Sequence, residues 1–202
     1  MNDQRRAAGI DRRTALRTMA AGVGAAASAL WVREIAVLAE TEARHAHLLA
    51  AAAQDGTWTP AVLSAEQFET VGVLAELIIP ETDTPGARAA LVDRYVDGVL
   101  AEASPTVRGR FLEGLAWIDA RSRALFGARF TGASAAQQHE LLTRLAAQPS
   151  SEETAGVEFF EAIKAMTITG YYTSEIGLRQ ELGVPFTLML PEFPGCTHEE
   201  HM

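Results

Sequence analysis

The chain has 202 residues, 48% of them hydrophobic, and a formal charge of −9. That length supports one domain with a real core, and the acidic balance argues against nucleic acid and against an anionic membrane surface, both of which attract basic patches. A single cysteine, Cys196, excludes an intrachain disulfide, a c-type haem motif and an iron–sulfur cluster built by this chain alone.

Residues 11–31 read DRRTALRTMAAGVGAAASALW and allow two readings. Gly22-Val23-Gly24-Ala25-Ala26-Ala27 fits the G-x-G-x-x-G/A pattern of a dinucleotide-binding turn. Such a turn needs a buried strand before its first glycine and a βαβ unit around it. Asp11 to Thr18 instead carries four charges without β alternation, and no strand comes after it. An export signal needs a basic start, a short apolar run and small residues at a cleavage site. Arg5, Arg6, Arg12, Arg13 and Arg17 supply the first, Met19 to Ala27 the second and Ala27-Ser28-Ala29 the third. The apolar run is far short of the roughly 20 residues of a spanning helix. Against the twin-arginine pattern S/T-R-R-x-F-L-K, the residues Arg12, Arg13, Leu16 and Arg17 match, while Asp11 and Ala15 depart and leave the general secretory route open. Removing residues 1–29 takes away five Arg and two Asp, which brings the formal charge near −12. An odd cysteine in an exported chain implies a free thiol or a bond to another chain.

The remaining chain reads as an all-α domain over residues 30–182, of about five to six helices, with an extended proline-rich tail over 183–202. Val32 to Gln54 is Ala-rich and ends at Asp55-Gly56. Ser64 and Gln67 form a capping box, with Ser64 as N-cap and Gln67 at N3. The helix behind it sets Phe68, Val71, Ala75 and Ile78 on one face and stops at Pro80. Thr82-Asp83-Thr84-Pro85-Gly86 is a turn, after which Leu91, Val92, Tyr95, Val96, Val99 and Leu100 form the stripe of a third helix. Ser104-Pro105 suits an N-cap with proline at N1. The helix it opens carries Phe111, Leu112, Leu115, Ile118 and Leu125 as far as Gly127. Ser134 starts a short helix with Leu141, Leu142 and Leu145. A last long helix, from about Glu152 to Tyr172, carries Phe159, Phe160, Ile163 and Met166. In the tail, Pro185, Pro191 and Pro194 forbid a long helix. Its apolar residues must cover either their own helices or a partner.

Candidate chemistry is sparse. Glu152-Glu153 and Glu199-Glu200 are adjacent acids of the solvated kind. His45 and His47 are two apart on a helix, so they face different sides and cannot share a metal. Cys196, His198 and His201 match zinc ligands in type but lack a fourth ligand and a rigid frame. They keep open a small metal-binding periplasmic protein or enzyme as the competing reading, beside a free-standing helical binding protein. The densest polar-aromatic cluster is Gly170-Tyr171-Tyr172-Thr173-Ser174-Glu175-Ile176-Gly177. It reads either as a helix end whose tyrosines finish the core, or as an interaction site through Tyr171, Tyr172 and Glu175.

Four stretches, LSAEQFETVGVLAELIIPETDTPGA (63–87), FLEGLAWIDARSRALFG (111–127), TGYYTSEIG (169–177) and LPEFPGC (190–196), together resemble the gluconate 2-dehydrogenase subunit 3 family. That resemblance implies the small, non-catalytic subunit of a periplasmic FAD-dependent sugar dehydrogenase complex, oxidising gluconate at C2 or glycosides at C3. The FAD and the chemistry then belong to a large subunit of the glucose–methanol–choline oxidoreductase type, and a c-type cytochrome accepts the electrons. This chain would hold no cofactor or metal. It would supply the twin-arginine signal that exports the folded flavoprotein to the periplasm, and any membrane association would come through the complex. Tyr171, Tyr172, Glu175, Pro191, Phe193 and Cys196 are the residues expected at the partner interface, with Cys196 bonded to the large subunit under oxidising conditions.

Overall fold

The computed structural model describes residues 30–52, with side chains as far as Thr41, and residues 58–147 and 153–184. Among them are α1 (Leu30–Ala52), α2 (Ala65–Ile78), α3 (Val92–Glu102), α4 (Pro105–Phe126), α5 (Ala135–Ala146) and α6 (Thr154–Thr173). A 3-10 turn at Phe130–Gly132 joins α4 to α5, and a π-helical turn at Ile176–Glu181 comes after α6. No strand occurs among the described residues, so the all-α expectation holds. The signal, the tail beyond Val184 and the histidines at its end lie outside them.

Local chemistry sets the helix ends. Ser64 Oγ accepts the Gln67 N–H at 3.2 Å while Gln67 Oε1 accepts the Ser64 N–H at 2.9 Å, the reciprocal box that the sequence announced. Ser134 and Gln137 repeat the device at α5, which sequence inspection passed over. Pro105 opens α4 behind the Ser104 cap, and Gly127, with φ of +76°, closes it in the left-handed conformation that glycine adopts without steric cost.

The helix α6 is the axis of the bundle. Ten of its twenty residues are buried, among them Phe159, Ile163, Met166 and Tyr171, and it touches every other helix. A helix covered on all sides must be apolar all round. Only Glu158, Glu161 and Lys164 are charged along α6, and Lys164 pairs with Glu161 at 2.6 Å. The helix α1 lies along α6 and α3, turning Val32, Ile35 and Ala39 into the core. The Trp31 indole N–H donates to Glu158 Oε2 at 2.9 Å, and the Tyr95 hydroxyl donates to the Ala39 carbonyl.

Two findings depart from the sequence pattern around α3. Leu91 is not a member of the helix but its N-cap, at φ of +56°, and it is only half-buried. The apolar stripe runs through Leu91 in register, yet a left-handed residue cannot continue a right-handed helix. Asp97, from the middle of that helix, is 2% exposed. Its carboxylate accepts the backbone N–H groups of Ala61 at 2.7 Å, Val62 at 3.1 Å and Leu63 at 2.9 Å, pinning the segment before α2 onto α3.

Asp93, in the first turn of α3, gives the fold a dependence on pH. Burial pushes its carboxyl above its ordinary value, against the Arg94 N–H that it accepts at 2.8 Å and the Arg88 and Arg94 guanidinium groups. An acid whose pKa is higher folded than unfolded binds more protons in the folded state, so stability falls as pH rises through that window. Asp93→Asn is expected to stabilise the chain at neutral pH by about 1 kcal/mol or less, because the amide carries no charge to desolvate. The advantage shrinks as pH falls into the carboxylate range and the parent protonates. Thermal melts in a pH series check this, and a gap widening toward acid pH would refute it.

Candidate functional site

The loop between α2 and α3 and the turn after α6 meet at one end of the bundle. On the loop side, one carboxylate holds both arms. Glu76, in the last turn of α2, accepts the Glu81 N–H at 2.8 Å through Oε1 and the Arg88 N–H at 3.0 Å through Oε2. The Ala87 N–H closes the loop onto the Ile79 carbonyl at 2.9 Å, and the Thr82 N–H reaches the Thr84 carbonyl at 3.1 Å. Glycine is required at Gly86 because a Cβ there would lie 2.6 Å from the Glu81 backbone nitrogen as well as overlapping the Glu76 carboxylate.

On the other side, Ser174 stops α6 and starts the wide turn. Its hydroxyl donates to the Tyr171 carbonyl at 2.6 Å and accepts the Gly177 N–H at 3.0 Å. The Leu182 N–H then reaches back to the Gly177 carbonyl at 3.0 Å. A Cβ on Gly177 would overlap the Tyr171 carbonyl oxygen, so the turn is built around glycine.

Two side-chain bonds join the halves across the fold. The Tyr171 hydroxyl donates to the Pro85 carbonyl at 2.9 Å, and the Thr84 hydroxyl donates to Glu181 Oε2 at 2.6 Å. The Tyr172 ring stands edge-on to Tyr171, with centroids 5.2 Å apart and planes at 89°. The result is a rigid platform that exposes Glu81, Thr82 and Asp83 from the loop and Thr173, Glu175 and Arg179 from the turn. Glu175 and Arg179 pair at 2.8 Å, which leaves the loop tip as the acidic part of the surface.

Of the residues expected at an interface, Tyr171 is fully buried with its hydroxyl engaged inside the fold, so it supports the surface from beneath and does not form part of it. Tyr172 is half-buried and Glu175 exposed, and both lie on the platform. Pro191, Phe193 and Cys196 lie outside the described residues, as do Arg12, Arg13, Leu16 and Arg17. Sequence reasoning missed Glu76, Thr84 and Glu181: a helix-end acid that accepts distant N–H groups, as Glu76 does, looks like a solvated one until the loop is placed, and Thr84 and Glu181 meet only through the fold.

Elsewhere, an open depression is lined by Ala65, Glu66, Glu69, Thr70, Arg129 and Thr131. Arg129 bridges Asp119 at 2.9 Å and Glu66 at 2.8 Å, and its hydrogen bond and positive charge hold the Glu66 carboxyl below its ordinary value. Among the described residues no group of three His, Cys, Asp or Glu side chains is placed to hold a metal ion, and no helix is long and apolar enough to cross a membrane.

A family model for gluconate 2-dehydrogenase subunit 3 matches residues 65–190, more than half of the chain. The chain belongs to the gluconate 2-dehydrogenase subunit 3 family. As a subunit 3 protein it is part of a multi-subunit dehydrogenase assembly. The matched stretch begins at the first residue of α2 and takes in both halves of the platform, while α1 lies outside it. No curated protein and no solved structure matches this subunit 3 chain.

Proposed function

We propose that the chain is the non-catalytic small subunit of a periplasmic FAD-dependent sugar dehydrogenase complex, of the gluconate 2-dehydrogenase or glucoside 3-dehydrogenase type. It escorts a large flavoprotein subunit through twin-arginine export and stabilises it; the FAD sits in that partner, and a c-type cytochrome takes the electrons. The observation that carries this reading is the platform. Two segments 86 residues apart at the Tyr171–Pro85 bond lock into one preorganised surface. A surface held rigid before binding loses little entropy on association, which suits a permanent partner. Family membership, the acidic chain and the Arg12-Arg13 pair near the N-terminus support the same reading. The large subunit docks over Tyr172, Glu175 and the Glu81–Asp83 tip, and the tail places Pro191, Phe193 and Cys196 on the same partner, with Cys196 in an interchain disulfide.

The test is isolation of the C-terminally tagged chain from the periplasm of its host, then an absorption spectrum and gels with and without reductant. A flavin spectrum with a second, larger chain is expected, and the two chains should run as one band until reduced. A colourless, monodisperse single chain would overturn the escort role. Stoichiometric metal on it would favour the Cys196, His198 and His201 reading.

A further inference from the structure

Tyr95 stands where three helices meet. It is fully buried, and from α3 it reaches both α1 and α6. Its hydroxyl donates to the Ala39 carbonyl of α1. Its ring lies against Gly170 of α6, where an added Cβ would come within 2.5 Å of Tyr95 Cδ1. The next residue along α6 is Tyr171, whose hydroxyl holds the Pro85 carbonyl at 2.9 Å in the platform. At the start of α3, the Tyr95 N–H reaches the Leu91 carbonyl and the Val92 N–H reaches the Ala87 carbonyl, each at 3.1 Å. Ala87 is the residue that closes the platform loop onto Ile79. One residue thus bonds to α1 and rests on the supports of both platform halves. Two sites are coupled when both bias one element between two arrangements, and the coupling acts equally in either direction. That element is α1, seated on the body or lifted from it.

We propose that α1, seated on Tyr95, sets the platform, so that the chain offers a finished docking surface only while α1 is in place. Lifting α1 takes the acceptor from the Tyr95 hydroxyl and uncovers the ring that supports Gly170. The Gly170–Tyr171 step and the start of α3 then lose their common support, and the bonds across the platform open more often. By the same coupling, a partner bound on the platform holds α1 in its seat. The partner's part in this rests on the platform being the docking surface, whereas the coupling itself belongs to the chain alone. The helix outside the stretch that the family model matches thereby controls a surface inside it.

The test is amide hydrogen exchange on the full chain, with circular dichroism confirming that each variant is folded. Tyr95→Phe keeps the ring against Gly170 and removes the bond to Ala39. It is expected to speed exchange about fivefold in α1 and at the Ala87, Gly177 and Leu182 N–H groups of the platform. Trp31→Phe acts through α1 alone, by removing the donor to Glu158. It is expected to speed the same platform amides about twofold to threefold, although Trp31 touches neither Tyr95 nor the platform. Faster exchange in α1 with unchanged platform amides would overturn the coupling. So would an equal platform effect from Leu145→Ala, a core change on α5 that lowers overall stability without loosening α1. In the complex with the flavoprotein, α1 should exchange more slowly than in the free chain, and an unchanged rate there would also overturn the coupling. Absence of any flavoprotein from the parent would overturn the docking reading, and the free-chain rates then decide the coupling by themselves.

Discussion

Asp97→Ala is expected to lower the unfolding free energy by about 3–5 kcal/mol, a large share of what holds a domain of this size together. The carboxylate is 2% exposed and is the shared acceptor for three successive backbone N–H groups, those of Ala61, Val62 and Leu63. Alanine deletes the acceptor without removing the donors: the Leu63 N–H, left without a partner in the core, costs about 1–3 kcal/mol, and the part-buried bonds to Ala61 and Val62 are lost with it. The damage spreads along the segment it anchors. Trp58 packs on Phe68 with ring centroids 5.1 Å apart and carries the Arg94 guanidinium 4.9 Å above its ring, so both contacts loosen when residues 58–64 detach. Asp97→Asn keeps the shape and one acceptor oxygen but turns an amide N–H₂ toward the other donors, and should cost about 2 kcal/mol. Urea denaturation monitored by far-ultraviolet circular dichroism ranks the three proteins. Coincident midpoints for the alanine variant and the parent would refute the assignment.

Gly177→Ala should be nearly as damaging, and the damage should fall on assembly first. The added methyl would overlap the Tyr171 carbonyl oxygen and lie 2.9 Å from Tyr172 Cα, both backbone atoms that no side-chain rotation can move aside. Relief requires opening the turn, which breaks the Ser174 hydroxyl bridge between the Tyr171 carbonyl and the Gly177 N–H. Overpacking of this kind costs about 3 kcal/mol where the neighbours are rigid. The helices themselves keep their core, so the variant should remain helical while the Thr84–Glu181 and Tyr171–Pro85 bonds across the platform weaken. If the platform is the docking surface, the variant should lose the co-purifying flavoprotein at a temperature where its own helical signal is unchanged. Retention of the partner at parental stoichiometry would separate the platform from assembly. Gly183→Ala is a suitable comparison at the same end of the chain, since a Cβ there meets nothing within 4 Å although its φ of +63° carries some strain.

What could be read from the sequence was whatever depends on near neighbours. The Ser64 box, the Ser104-Pro105 start and the Gly127 stop are all written within four residues, and each is found where its pattern put it. Periodicity also identified the buried faces, because Phe111, Ile118, Leu141, Leu145, Phe159 and Ile163 recur at helical spacing. The features that spacing could not supply are those in which distant segments decide a residue's environment. Leu91 continues its stripe perfectly well, and only the path of the preceding loop forces it to positive φ. Tyr171 and Tyr172 are equivalent in sequence, but Pro85 lies beside the first and so takes it inside. Asp97 resembles any helix-surface acid until the chain before α2 is laid across it. The specific peptides LIIPETDTPGA and GYYTSEIG were recognisable separately, whereas their union into one surface belongs to the tertiary fold.

The pairing of α1 with α6 has a further bearing on synthesis. The bond from Trp31 to Glu158 spans 127 positions, and the axis that shields Val32 and Ile35 is the last long helix among the described residues. Of the described helices, α1 is made first and waits longest for its place, and closing so large a loop slows native assembly. A chain that stops before α6 leaves the other described helices without the partner that covers their apolar faces. A product truncated before α6 thus remains unfolded and open to the proteases and chaperones that triage nascent chains.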